Sequence, residues 1–237
     1  MKKLSEKEVL TILNRGVMKL SVIITAGGSS VRFGSNKLLE KLNGKEVFLH
    51  SIGKFLPLNP SEIILSASEP FIPEAKRLTG GIPALKIVKG GSTRQESVFN
   101  ALKACDNPDF VAIHDAARPL VMVEDIKKCL EKAAETGAAI LAVKATDTIK
   151  KADENGKIIE TPERSSLWCV QTPQIFDYEL IFNAHKKLAG GSFSDDSGML
   201  EALGHEVYVV EGHYSNLKIT TPADICIAQS LLGGERF

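Results

Sequence analysis

The strongest constraint on the fold of this chain is the alternation of short apolar runs with stretches of helical period. Leu20-Ser21-Val22-Ile23-Ile24 and Phe110-Val111-Ala112-Ile113 are too short for buried helices and too continuous for half-exposed strands. The pattern predicts strand 20–25, helix 46–56, strand 62–66, a short helix near 71–79, strand 85–88, helix 94–104, strand 109–113, helix 123–136 and strand 138–143. It continues with helices 177–188 and 195–203, strands 206–210 and 216–219, and helix 222–232. This β-α-β rhythm implies an α/β fold, a single Rossmann-like domain with a mostly parallel sheet and helices on both faces. With 237 residues the chain can bury a substantial core. Without repeats, low-complexity stretches or linkers, residues 20–237 read as one domain and residues 1–19 as an N-terminal helical extension. In that extension a helix is expected over 4–17, with Ser5-x-x-Glu8 as a capping box and Leu10, Leu13 and Val17 on one face.

The rhythm breaks at about 145–163. Thr148-Ile149-Lys150-Lys151 and Lys157-Ile158-Ile159-Glu160 flank Asp153-Glu154-Asn155-Gly156, and Asn-Gly between strand-like runs signals a hairpin. A hairpin so short and polar has no core of its own, so it projects as an arm. It is either a surface excursion or a dimerisation element.

Charge narrows the function. Lys plus Arg and Asp plus Glu both number 29, giving a formal net charge of zero. No basic stripe points to nucleic acid. No apolar run reaches the ~18 residues of a membrane span, and residues 1–19 lack a signal peptide's apolar stretch, so the cytosol is expected. The cysteines, at 105, 129, 169 and 226, form no C-x-x-C pair and read as ordinary reduced thiols.

Two loops at the carboxyl ends of predicted strands carry the chemistry. The first runs Thr25-Ala26-Gly27-Gly28-Ser29-Ser30-Val31-Arg32-Phe33-Gly34-Ser35-Asn36-Lys37. Small residues let phosphate oxygens approach backbone N–H groups, and Arg32 and Lys37 add charge. Neither the Walker A spacing nor the dinucleotide G-x-G-x-x-G fits, and no acid ends the second strand, which disfavours a nicotinamide-dependent oxidoreductase. A plain glycine-rich turn is the alternative. The second loop is His114-Asp115-Ala116-Ala117-Arg118-Pro119. Asp115 there can hold Mg²⁺ against a triphosphate, or simply cap the following turn with Arg118 as its partner. His114 reads as a packing or hydrogen-bonding residue.

These segments resemble the 2-C-methyl-D-erythritol 4-phosphate cytidylyltransferase family of the non-mevalonate isoprenoid pathway. Three more occur in that family's order: Gly90-Gly91-Ser92-Thr93-Arg94-Gln95-Glu96-Ser97-Val98, Arg164-Ser165-Ser166-Leu167-Trp168-Cys169-Val170-Gln171-Thr172-Pro173-Gln174, and Asn216-Leu217-Lys218-Ile219-Thr220. The resemblance covers about residues 20–232. Related ribitol-phosphate cytidylyltransferases share much of it, but Ala116-Ala117 favours the methylerythritol enzyme. The resemblance implies CTP and a polyol phosphate as substrates, pyrophosphate as leaving group and Mg²⁺ as cofactor. By resemblance, Arg32, Lys37 and Lys218 are catalytic. Thr25, Ala26, Gly27, Gly91, Ser97 and Asp115 bind the nucleotide, with Asp115 as metal ligand. Arg118, Thr148, Arg164, Thr172, Ser194 and Lys218 bind the second substrate. It also implies a homodimer in which the arm carries Arg164 to a neighbouring subunit's site. On the residues alone, Arg164 and Lys218 could be solvated surface charges, and Asp195-Asp196 could be helix N-terminal acids. The chain departs from the pattern at Thr25, Phe33, Asn36, Leu38 and Ser194, none of which removes a charged group. The remaining rival, a non-catalytic nucleotide-binding module, would need Lys37 or Asp115 lost.

Overall fold

The computed structural model describes residues 18–27 and 36–233. The expected helix over 4–17, and Gly28 to Ser35 of the first loop, lie outside the described residues. Strand β1 (Leu20–Ala26) is an interior strand of the sheet. Leu20, Val22 and Ile24 pack into one core layer and Ile23 into the other. Burial on both faces is why this strand reads as an unbroken apolar run.

Two short strands, β2 (Lys41–Leu42) and β3 (Lys45–Glu46), pair after the first loop. Helix α1 (Val47–Gly53) follows, then β4 (Glu62–Ala67), α2 (Ile72–Thr79), β5 (Leu85–Lys89) and α3 (Arg94–Leu102). Next come β6 (Phe110–Asp115), α4 (Val123–Thr136) and β7 (Ala138–Lys144). The arm contains β8 (Lys151–Ala152) and β9 (Ile158–Glu160). The last stretch holds β10 (Trp168–Asp177), α5 (Tyr178–Lys187), α6 (Ser197–Ala202), β11 (Tyr208–Glu211) and α7 (Pro222–Gly233).

The seven-stranded sheet has the order β11-β7-β10-β6-β1-β4-β5. Its pairings are parallel except the two that β10 makes with β6 and β7. Helices α1, α2, α4 and α7 contribute to the core layer of Leu20, and α3, α5 and α6 to that of Ile23. The mostly parallel sheet, covered on both faces, is the one expected.

Register then locates the crevice. Thr25 of β1 stands abreast of Asp115 of β6, and Ala26 abreast of Ala67 of β4. The chain leaves β1 toward β4 on one side, while β6 lies on the other. Ligands in open α/β sheets collect where strand order reverses in this way, outside the carboxyl ends.

Two expectations are corrected. Residues 216–219 form no strand: Ile219 N–H donates to Ala117 O at 2.8 Å, and the segment is otherwise an irregular arch. Conversely β10, absent from the sequence reading, lies between β6 and β7. Proline withholds a ladder donor, and the register accordingly shifts between Val170 and Gln174, around Pro173.

The arm is a hairpin as expected, with shorter strands. Asp153 Oδ1 accepts from Asn155 N–H (3.0 Å) and Lys157 N–H (2.9 Å), and Gly156 supplies the left-handed φ of +81° that closes the turn. Ile149, Ile158 and Ile159 on it are 42%, 57% and 60% exposed, an apolar surface on an element without a core. Among the described residues, no helix is long and apolar enough to cross a membrane.

Candidate active site

Asp115 ends β6 with its side chain only 10% exposed, and three cations surround it. Lys218 Nζ lies 2.9 Å from Oδ2, Arg118 Nε 3.6 Å from Oδ2, and Arg94 Nε 3.8 Å from Oδ1. Burial alone would raise the Asp115 carboxyl, but Lys218, Arg94 and Arg118 together hold it well below the usual carboxylate range. Burial pushes the Arg118 guanidinium down, with Asp115 opposing. Thr25 Oγ1 donates to Asp115 Oδ1 at 3.2 Å, as the β1–β6 register requires.

His114 points into the core and is fully buried. Burial pushes its imidazole down to about 4, so the ring is neutral near pH 7. Its Nε2 meets a carbonyl, Arg118 O at 3.1 Å, which requires the proton on that nitrogen. Nδ1 then accepts from the Thr172 hydroxyl at 3.0 Å, and Thr172 Oγ1 in turn accepts Asp115 N–H at 3.0 Å. His114 and Thr172 therefore fix the backbone beneath the carboxylate, and His114 packs and hydrogen-bonds as expected.

The arch at 212–220 delivers Lys218. Buried Asn216 donates to Gln171 Oε1 and to Thr172 O, both at 3.0 Å, and its own carbonyl accepts from Arg118 Nη1 at 2.7 Å. Lys37 Nζ donates to Ile219 O at 2.7 Å. Lys37 and Asp115 thus hold the arch at adjacent residues, Ile219 and Lys218, so the first loop's lysine and the second loop's aspartate share one wall. Arg32 lies outside the described residues.

A second wall comes from the turn before α3. Thr93 caps the helix through Glu96 N–H (3.0 Å), and the Glu96 carboxylate reaches back to Ser92 N–H and its hydroxyl at 2.7 and 2.6 Å. Ser97 Oγ donates to Thr93 O (2.8 Å) and accepts Gly91 N–H (3.0 Å). A Cβ on Gly91 would lie 2.2 Å from Glu96 Cβ, and one on Gly90 2.9 Å from Ser97 Oγ, so the close approach admits only glycine. Gly27, at the exit of β1, faces the same hydroxyl: its Cβ would sit 3.1 Å from Ser97 Oγ. Ala26, Gly27, Gly91 and Ser97 are brought together.

Ser194 is exposed and precedes two acids that divide their roles. Asp195 accepts Gly198 N–H at 3.1 Å, as a helix N-terminal acid does. Asp196, 1% exposed, receives Arg94 Nη2 at 2.7 Å, with His185 Nε2 3.4 Å from its other oxygen. Thr148 and Arg164 lie elsewhere, exposed on or beside the arm. Arg164 Nη1 donates to Thr146 O at 3.0 Å. Among the described residues no hydrogen bond or ion pair joins either to the Asp115 cluster within this chain.

The donor set fits a divalent cation only jointly with a ligand. Among the described residues no group of three His, Cys, Asp or Glu side chains could hold a metal. Asp115 offers one carboxylate, so phosphate oxygens would have to supply further ligands, the common arrangement for Mg²⁺.

The family described as IspD, 2-C-methyl-D-erythritol 4-phosphate cytidylyltransferase, matches residues 20–234. The chain belongs to this family. A 2-C-methyl-D-erythritol 4-phosphate cytidylyltransferase of Halalkalibacterium halodurans is 42% identical over 223 residues, covering 91% of this chain and 97% of that one. That of Bacillus velezensis is 40% identical over 227 residues, covering 92% and 97%. Among solved structures, the 4-diphosphocytidyl-2C-methyl-D-erythritol synthase of Anaerococcus prevotii superposes with a TM-score of 0.82 at 31% identity, covering 91% of this chain and 96% of that one.

Within this cytidylyltransferase fold, sequence reasoning missed three residues as site members. Arg94 touches both Asp115 and Asp196. Gln174, fully buried, donates to Asp195 Oδ2 at 2.7 Å and accepts the N–H groups of Asp196 and Ser197 at 3.2 Å each. His185 stands behind Asp196, stacked on Phe99. One signal was available: a cation at the first position of a helix opposes the macrodipole and asks for a local reason.

Proposed function

We propose that this chain joins CTP to 2-C-methyl-D-erythritol 4-phosphate, giving 4-diphosphocytidyl-2-C-methyl-D-erythritol and pyrophosphate in isoprenoid precursor synthesis. Family membership over the whole sheet supports the reading, and the carboxylate ringed by three cations at the switch point is the observation that carries it. An oxygen of the polyol phosphate attacks the α-phosphorus of CTP. The bond from that phosphorus to the α–β bridging oxygen breaks, and its electron pair leaves on pyrophosphate. Such transfers depend on positioning and charge stabilisation more than on covalent help from the protein.

Arg32 and Lys37 hold the triphosphate and oppose the charge that develops at the α-phosphate. Thr25, Ala26, Gly27, Gly91 and Ser97 contact the cytosine, where small side chains let backbone groups reach the base edge. Asp115 holds Mg²⁺, which when bound supplies positive charge to the triphosphate. Lys218, Arg118, Thr172 and Ser194 receive the polyol phosphate. Lys218 pairs with Asp115 Oδ2, so its ammonium can turn to phosphate once the carboxylate takes another cation. The reaction belongs to the cytosol.

Crossing the four nucleoside triphosphates with several polyol phosphates, and following pyrophosphate, tests the assignment. Release is expected with CTP and methylerythritol phosphate together, and its loss when EDTA removes the metal. Faster turnover of ribitol 5-phosphate would replace the substrate; release without divalent metal would remove Mg²⁺ from the scheme.

The same reading makes the active species a homodimer built through the arm, with Arg164 and Thr148 completing a neighbour's site. Support comes from the exposed isoleucines and from the separation of both residues from Asp115 within one chain. Light scattering should give twice the chain mass. Ile158→Asp with Ile159→Asp should give monomers and at least about tenfold less turnover, since burying each isoleucine is worth roughly 1.5–3 kcal/mol. A monomeric, fully active double variant would refute the shared site.

A further inference from the structure

We propose that Arg94 couples the nucleotide side of the site to the polyol side, so that occupancy of one tightens the other. The inference rests on the functional reading above for which ligand lies on which side. Arg94 opens α3, where the helix dipole disfavours a cation. What holds it there is a pair of buried carboxylates on separate elements: Asp196 Oδ2 at 2.7 Å, ahead of α6, and Asp115 Oδ1 at 3.8 Å, at the end of β6. Burial works against the Arg94 charge, yet Asp196 and Asp115 raise the guanidinium above its ordinary value. One cation is thus shared between two anions.

The sharing is uneven in a telling way. The Asp196 contact is a hydrogen bond, whereas the Asp115 contact is an ion pair only. Asp115 also has Lys218 and Arg118, whereas among the described residues the other group paired with the Asp196 carboxylate is His185, at 3.4 Å and without hydrogen-bond geometry. Gln174 holds the backbone of Asp196 and the carboxylate of Asp195, the two residues that follow Ser194, which leaves the Asp196 side chain for Arg94 to position. When a nucleotide complex brings its own cation to Asp115, the hold of Asp115 on Arg94 weakens and the guanidinium commits to Asp196. That fixes the segment presenting Ser194. By linkage, polyol phosphate bound at Ser194 strengthens nucleotide binding by the same factor. A planar guanidinium spreads its charge over a fixed fork, here with Nε toward Asp115 and Nη2 on Asp196, whereas an ammonium concentrates it at one point and does not reproduce that spacing. Arg94 is therefore a positioning residue.

Calorimetry of the wild-type protein with Mg²⁺ present should give a dissociation constant for methylerythritol phosphate that falls about tenfold or more when an α,β-methylene CTP analogue is bound. Arg94→Gln and Arg94→Lys should bring that ratio to within about twofold of unity, with the Lys variant failing to rescue it. Asp196→Asn cuts the same bridge from its far end, leaves the Asp115 cations in place, and should abolish the ratio as well. This variant keeps the test decisive if Arg94→Gln does not fold. A wild-type ratio near one, or a wild-type ratio retained in both Arg94→Lys and Asp196→Asn, overturns the coupling. Wild-type protein that binds neither ligand removes the functional reading itself, and the coupling with it, a result distinct from binding without coupling.

Discussion

Asp115→Asn is expected to lower CTP-dependent pyrophosphate release by about a thousandfold or more, a loss of roughly 4 kcal/mol in transition-state stabilisation. The substitution keeps the shape and removes one negative charge. In the native protein Asp115 offsets part of the charge of Lys218, Arg118 and Arg94 at 2.9, 3.6 and 3.8 Å. With asparagine Lys218 and Arg118 lose this carboxylate, while Arg94 keeps its ion pair with Asp196. Breaking a buried ion cluster in this way costs up to about 3–5 kcal/mol, reduced here because the Lys218 side chain is 42% exposed and partly screened by water. Thermal stability should drop measurably without abolishing folding. Affinity for metal-free CTP should hold or improve, because the triphosphate then enters a more positive site. Turnover has no such compensation under the proposed scheme, in which this carboxylate would hold the divalent cation. Asp115→Asn with activity within tenfold of wild type would show that the carboxylate only braces the cations.

The legible parts of this fold were those whose local pattern and environment agree. β1 and β6 are buried on both faces, so they appear as apolar runs, and the loops that end them carry Asp115, Arg118 and Lys37. β10 was illegible for the opposite reason. Its interior residues include Gln171, Thr172 and Gln174, polar side chains buried by hydrogen bonds to Asn216, His114 and the Asp195–Ser197 turn. Polar residues around a proline look like a loop when their partners lie 20 to 60 positions away, as the separations of 21, 45 and 58 residues here show. Asn216-Leu217-Lys218-Ile219 deceived in the other direction. Alternation suggested a strand, but Asn216 and Lys218 serve β10, Arg118 and Asp115 rather than a ladder. Arg94 was visible as part of a motif and invisible as a bridge, because nothing local ties the start of α3 to Asp196. Long-range polar contacts are the information a sequence withholds, and this site is built largely from them.

Lys37→Ala should retain the fold and lose about 10²–10³ in turnover, the typical cost of removing one preorganised group from developing charge, roughly 2.7–4 kcal/mol. Stability should fall by about 1–3 kcal/mol, because the carbonyl of buried Ile219 loses its Lys37 donor. If the ammonium acts at the α-phosphate, kcat falls more than KM for CTP rises. The Ile219 contact raises a competing route: Lys37 could act only by steadying the arch that carries Lys218. The two routes separate in a double-mutant cycle. Independent action predicts that Lys37→Ala and Lys218→Ala combine nearly additively in free energy, taking release toward the uncatalysed rate. Action through Lys218 predicts that the double variant is no slower than Lys218→Ala alone. Lys37→Arg sharpens the distinction, since a guanidinium can still hold Ile219 O but does not reproduce a compact ammonium at phosphorus. Restored turnover in Lys37→Arg would place the lysine's role in the arch, whereas turnover close to that of Lys37→Ala would place it at the reacting phosphate.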